Sequence, residues 1–152
     1  LIPQGQNMSA IKKIQSNAGA LNPATRKKRG CLFCQSRFQK KGFAVNQLAY
    51  AVFDQYPVTQ GHALIIPRAH AADYFELSDA ELKSIHSLIM KVREMLLQKD
   101  PLIVGFNIGA NCGAAAGQTI MHCHIHLIPR RAGDMKDPRG GVRGVIPKKM
   151  KY

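Results

Sequence analysis

Gly117-Gln118-Thr119-Ile120-Met121-His122-Cys123-His124-Ile125-His126-Leu127-Ile128-Pro129 is the stretch on which the reading of this chain turns. Residues 121–128 read as a strand, with Pro129 expected to end it. Side chains alternate along a strand, so His122, His124 and His126 are predicted on one face. Cys123, Ile125 and Leu127 then face the other way, into a core. Half of the chain's six histidines therefore fall in register. One such histidine is ordinarily structural, but three on one face need a chemical reason. Two of them could share a metal ion, whereas the outer pair lies about 13 Å apart, too far for one ion to gather all three. The other uses are general acid–base catalysis and nucleophilic attack by an imidazole on an acyl or phosphoryl centre. Neutral imidazole is a good nucleophile near pH 7 without a strong base. The small-residue loop at 109–117, just upstream, could bring backbone N–H groups to phosphate oxygens.

Outward from this stretch, residues 47–54 read as a strand broken by Gln55-Tyr56-Pro57, and residues 61–66 as a second strand closed by Pro67. Ser78 followed three residues later by Glu81 is a capping box. Leu82, Ile85, Leu88, Ile89, Val92 and Leu96 then recur at helical spacing, giving one long helix with a single buried face that Asp100-Pro101 stops. His86 falls off that stripe and reads as a solvated side chain. Residues 102–108 form a third strand. Strands, a helix and more strands predict an α+β fold with a mainly antiparallel sheet and one long helix.

The chain has 152 residues, with 22 Lys+Arg against 9 Asp+Glu and a net charge of +13. That length predicts one domain with a real core, and 45% hydrophobic residues exclude wholesale disorder. No apolar run is long enough to span a bilayer. Asn7, Lys13 and Ser16 interrupt any secretory leader near the start. Four cysteines are too few for a disulfide scaffold, so a reducing, cytoplasmic setting is expected. Residues 1–30 read as a flexible basic arm, 31–134 as the folded domain and 135–152 as a basic tail. No acid precedes Asp54, while nine Lys/Arg do, and residues 130–152 carry eight Lys/Arg against Asp134 and Asp137. Such a field concentrates polyanions, or else solubilises. No RNA-binding aromatic motif accompanies it, so specific nucleic-acid readout is unsupported.

Cys31-Leu-Phe-Cys34 could be half a zinc site, a redox pair or chance. The redox reading wants a βαβ context that is missing. Tetrahedral zinc needs two further ligands.

His122-x-His124-x-His126, with apolar residues between, resembles the signature of the histidine triad (HIT) family of nucleotide hydrolases and transferases. Gly105-Phe-Asn-Ile-Gly, Asn111, Ala116-Gly117-Gln118-Thr119, Pro129-Arg130 and Gly61-His62 with Ile66-Pro67 extend the likeness over residues 31–134. The resemblance implies a HIT-like fold that pairs into a homodimer. His124 would be the nucleophile, attacking an α-phosphate to form a nucleotidyl-histidine that water then cleaves. His126 would contact that phosphate, Gln118 the scissile bridge and Asn111 a phosphate oxygen. Asp54 would bind the ribose hydroxyls, with His62 nearby and Phe33 and Phe53 as walls for the base. Some bacterial members combine an N-terminal CxxC with two histidines, which implies structural zinc on Cys31, Cys34, His70 and His122. The function implied is hydrolysis or transfer of a nucleoside monophosphate group from purine dinucleoside polyphosphates, phosphoramidates or nucleotide sugars. Two rivals remain: a nucleotide-binding module with basic arms for a nucleic-acid or protein partner, and a zinc hydrolase working on the histidines.

Overall fold

The computed structural model describes residues 26–150, so most of the basic arm predicted at 1–30 lies outside the described residues. Five strands, β1 (Ala44–Val45), β2 (Ala49–Phe53), β3 (Ala63–Pro67), β4 (Ile103–Gly109) and β5 (Ile125–Arg131), form one antiparallel sheet in the order β1-β2-β3-β5-β4. The long helix, Asp79–Lys99, runs between β3 and β4 in sequence. Ile85, Leu88, Val92 and Leu96 pack it onto Ala49, Ala51, Ala63, Ile65, Ile125 and Leu127 of the sheet, the main core. A second, smaller core lies on the opposite face, where Phe33 and Phe38 cover Tyr50, Val52, Leu64 and Ile66. The sheet thus separates a helix side from a side that carries the histidines. No helix among the described residues is long and apolar enough to cross a membrane.

The α+β order predicted from the sequence is observed, with corrections of detail. The strand expected at 121–128 pairs only from Ile125, and it continues through Pro129 to Arg131. Pro129 is tolerated because β3 has already stopped opposite it, its last partner being Ala63 against Leu127. His122 and His124 therefore precede the ladder. Alternation still holds through them, since Cys123, Ile125 and Leu127 belong to the helix-side core. The two-residue β1 and the short helix Ser36–Gln39 carry too little pattern to be read from sequence.

The helix start is as predicted and better anchored than sequence implies. Ser78 Oγ accepts from the Glu81 N–H, and the Glu81 carboxylate accepts from Ser78 N–H at 2.9 Å, completing the box. Glu81 is fully buried and also receives the Arg26 guanidinium on both oxygens, at 2.7 and 2.8 Å. The packed part of the chain thus reaches back to Arg26, whose carbonyl in turn accepts from the His70 N–H. Burial alone would raise the Glu81 pKa, but Ser78 and Arg26 more than offset it, and the carboxyl sits below its usual 4.5. A depressed carboxylate pKa stabilises the fold above pH 4.5 and loses that contribution as pH falls through the folded-state value. Arg26→Met is therefore expected to lower stability by about 1–3 kcal/mol at pH 7, with the deficit shrinking in acid. Thermal melts of both proteins from pH 7 to pH 3 check this, and equal melting temperatures at pH 7 would contradict it.

Candidate active site and metal centre

The chain from Cys31 to Cys34 turns through one 3-10 turn, closed by Cys34 N–H donating to the Cys31 carbonyl. Tyr50 Oη and Gln39 Nε2 both donate to the Phe33 carbonyl, at 2.9 and 3.1 Å, and so dock this knuckle on the sheet. The docking brings Cys31 and Cys34 against His70, which follows β3, and His122, which precedes β5. Cys31 Sγ lies 3.3 Å from His122 Nδ1, Cys34 Sγ 3.5 Å from both His70 Nδ1 and His122 Nδ1, and the two Nδ1 atoms 3.3 Å apart. Two imidazole nitrogens and thiolates on tetrahedral zinc would stand about 3.3 Å (N to N) and about 3.6 Å (S to N) apart. The four donors therefore surround a volume of the right size. The protonation pattern agrees. His122 Nε2–H donates to the Pro67 carbonyl at 3.0 Å, which leaves Nδ1 as the unprotonated donor facing the sulfurs. Burial lowers the His122 pKa to about 4, so the ring is neutral. Burial also pushes the Cys34 thiol up, a cost for a thiolate that a cation in the cluster would remove. Cys112 and Cys123 stay outside the cluster.

The same segment aims the next histidine. His124 Nδ1–H donates to the His122 carbonyl at 2.8 Å, and a carbonyl can only accept. That bond places a ring proton of His124 on Nδ1, and among the described residues no hydrogen bond takes up its Nε2. His124 is 7% exposed, its ring lying edge-on to Phe33 with ring centres 5.5 Å apart and to His126 at 5.3 Å. Beyond it a chain of donors runs in one direction. Val58 N–H donates to His62 Nδ1 at 3.3 Å, so the His62 proton is on Nε2, which donates to His126 Nδ1 at 2.9 Å. The His126 proton is then on Nε2, beside His124. Burial lowers both pKa values, His126 to about 4, so the pair is neutral at pH 7. Asp54 Oδ2 stands 3.6 Å from His62 Nε2 and 3.9 Å from His126 Nδ1. Asp54, His62 and His126 could in principle also hold an ion. However, their 2.9 Å nitrogen–nitrogen separation is that of a hydrogen bond rather than of two metal ligands.

A HIT domain family model matches residues 35–133. A 16.1 kDa HIT-like protein of Mycoplasma pneumoniae is 39% identical over 103 residues, covering 66% of this chain and 71% of the relative. This chain belongs to the HIT domain family. Other HIT relatives carry named activities. An adenosine 5'-monophosphoramidase of Schizosaccharomyces pombe is 35% identical over 106 residues (66% of this chain, 74% of the relative). An AP-4-A phosphorylase of Mycobacterium tuberculosis is 33% identical over 93 residues (60% and 47%). Among solved structures, a zinc-bound histidine triad protein of Mycobacterium smegmatis superposes with a TM-score of 0.63 at 26% identity, covering 71% of this chain and 80% of that one.

Within the HIT domain, the other residues singled out from sequence fall in different places. Asn111 lines a cleft of about 390 Å³ together with His62 and His126. Gln118 does not reach that cleft. Its amide is spent internally, with Nε2 donating to the Ala72 and Ile120 carbonyls and Oε1 accepting from Gly113 N–H at 2.7 Å. It braces the loop, and it occupies the Gly113 N–H, one of the N–H groups of the 109–117 loop that were expected to face phosphate oxygens. Phe33 is 2% exposed, a backing for the His122 and His124 rings rather than an open wall. Phe53 is on the wrong side altogether. Neighbours in a strand face opposite ways, so with Asp54 toward the histidines Phe53 stacks on Phe43 over the helix-side core, 4.1 Å between ring centres. Asn107, which accepts from Arg130 at 2.7 Å and lines the cleft, carried no role in the sequence reading, although its motif was visible. His86 is exposed, as expected.

Proposed function

We propose that this HIT protein hydrolyses nucleoside phosphates by transferring the nucleotidyl group to His124 Nε2 and then to water. One observation carries this reading: the Nδ1–H of His124 is committed to a main-chain carbonyl at 2.8 Å, so its lone pair is on Nε2, with the His126 ring edge-on at 5.3 Å between ring centres. In the first step that lone pair forms a bond to the α-phosphorus while the bond to the leaving group breaks, its electron pair departing with a polyphosphate, or with an amine whose nitrogen has taken a proton from solvent. His126 Nε2–H donates to a non-bridging oxygen as charge builds there. Positive charge on the substituted imidazole is spread through Nδ1–H into the His122 carbonyl. In the second step a water oxygen bonds to phosphorus, the N–P bond returns its electrons to Nε2, and the water's proton passes to solvent. His62 acts by fixing the tautomer of His126. The relatives' names support both dinucleoside tetraphosphates and adenosine phosphoramidates as substrate classes.

Cys31, Cys34, His70 and His122 are assigned to zinc. The metal would supply a fixed crosslink between the knuckle and the start of the triad. With four protein donors, no position remains for an activated water, which argues against the zinc-hydrolase reading. A homodimer accords with β4 standing at the sheet edge beside an apolar groove of about 650 Å³, lined by Phe75, Ile85, Ile89 and Ile108.

The test is to incubate the protein with diadenosine tetraphosphate or adenosine 5'-phosphoramidate and assay for AMP. Binding with no AMP from either would leave only a nucleotide-binding module. Asp54 is assigned to the ribose hydroxyls. Charged acceptors make such bonds worth about 1.5–3 kcal/mol, so 2'-deoxy substrates and Asp54→Ala should each raise KM about 10-fold or more. Equal kcat/KM for ribo- and deoxyribonucleotide substrates would remove the assignment.

A further inference from the structure

Residues 26–53 carry seven Lys/Arg and no Asp or Glu. Among the described residues only Arg26 of these seven is in an ion pair, with Glu81. Lys27, Lys28, Arg29, Arg37, Lys40 and Lys41 are all exposed. The fold draws them together with Arg68, which follows the last residue of β3. Lys27 Nζ and Gln39 Nε2 both donate to the Arg68 carbonyl, at 2.8 and 3.0 Å. Gln39 also donates to the Phe33 carbonyl, so the segment at 26–29, the knuckle and the short helix Ser36–Gln39 meet at one point. Arg68 N–H donates to the Leu48 carbonyl and its Nε to the Asn46 carbonyl, at 2.8 and 3.1 Å, which holds Arg68 against the turn between β1 and β2. Lys40 and Arg68 line a hollow of about 360 Å³ with Ser36, Gln39 and Val45. Lys28 N–H donates to Cys34 Sγ at 3.4 Å, so the cationic segment is fixed by the cysteine–histidine cluster as well.

This basic face is separate from the histidine site. His62 enters β3 and Arg68 leaves it, about 20 Å farther along the strand. The composition of the face selects among polyanions. A bilayer surface or a protein partner would take large apolar anchors, and unpaired bases would need exposed rings to stack on. The exposed apolar side chains here are Leu32 and Val45, each less than half exposed, and Phe33, Phe38 and Tyr50 are buried. The face therefore presents positive charge, fixed by main-chain hydrogen bonds, with neither anchor nor stacking ring. That matches the backbone of a duplex, a stiff array with one negative charge per about 1.7 Å of axis.

We propose that this face binds the phosphodiester backbone of double-stranded nucleic acid without regard to base sequence. Lys and Arg on phosphate oxygens position a duplex without reading its bases. Release of the counterions condensed on the duplex supplies the affinity, which makes binding steeply dependent on salt. The face shares no residue with the proposed hydrolase site, so either can fail without the other.

The full chain is titrated into a fluorescently labelled duplex of mixed sequence, as DNA and as RNA, with anisotropy as the readout. With about six phosphate contacts, affinity is expected to fall about 10³-fold between about 50 and 200 mM salt. In K28E/R29E/K40E it is expected to fall at least about 30-fold at fixed salt, and the slope of log K on log salt to shrink by about 3. K136E/K148E/K149E, at exposed positions of the C-terminal segment, makes the same change in net charge and is expected to lose less than about 5-fold, because charges beyond a Debye length of about 10 Å are screened. Circular dichroism melts confirm that the variants fold, and K28Q/R29Q/K40Q repeats the test without new acids. Binding to one duplex and not the other supports the face and names its source. Equal losses in the two glutamate variants would mean that binding follows net charge alone, and would overturn the face. So would no binding to either duplex, or tighter binding to single strands or to phosphatidylserine vesicles.

Discussion

His124→Asn is expected to lower turnover by about 10⁴-fold or more, because it removes the atom that bonds to phosphorus rather than a group that assists. Asparagine keeps an N–H that can reach the His122 carbonyl, so the backbone around the triad should stay as it is. Nucleotide affinity is therefore expected to change only a few-fold. The variant separates two roles that coincide in wild type, binding the substrate and breaking it. The measurement is a rapid quench at neutral pH, since a phosphorus–nitrogen bond is acid-labile, followed by mass spectrometry of the peptide carrying residues 121–128. A nucleotidyl adduct should appear on wild-type His124 and on nothing in the variant. Turnover within tenfold of wild type, or an adduct on His62 or His126, would overturn the mechanism.

The second large effect is on stability. Cys31→Ser removes one of four donors and should abolish stoichiometric zinc, measured by elemental analysis of protein purified without chelator. Losing the crosslink is expected to cost about 3–5 kcal/mol, less than for peptides that fold only around their metal, because two hydrophobic cores remain. For a chain of this size that lowers Tm by about 10 °C. The rate constant of the folded fraction should fall far less than in His124→Asn, since no donor in the cluster touches the phosphate. Wild type that contains no zinc while its cysteines are reduced would refute the assignment. So would a chelator that stops turnover at once without changing Tm.

Much of this architecture could be read from local pattern. The capping box at Ser78 and Glu81 and the stripe from Leu82 to Leu96 marked the helix, since both depend on spacing alone. The alternation from Cys123 to Leu127 separated core from chemistry even where no ladder forms. The strand ends were less legible, because whether a proline stops a strand depends on a neighbour distant in sequence. Pro129 sits inside a strand that has lost a partner on one side, whereas Pro67 is the last residue of its own strand, as expected. The site was legible by residue type and less so by role. Gln118 looked like a phosphate contact, and only its three internal hydrogen bonds reveal a brace. Phe53 looked like a base wall, and only the facing of β2 removes it.

The cysteine–histidine cluster also bears on the order in which the molecule assembles. Cys31 and His122 meet across 91 positions of chain, and Cys34 and His70 across 36. Contacts of such high sequence separation form only once the intervening strands and helix are close to their final places. A metal bound by these four residues would therefore close a structure already nearly complete, rather than nucleate folding as it does where all ligands lie within one short segment. Its contribution would fall on the escape from the native state, so removing it should speed unfolding many-fold while leaving the refolding rate nearly unchanged.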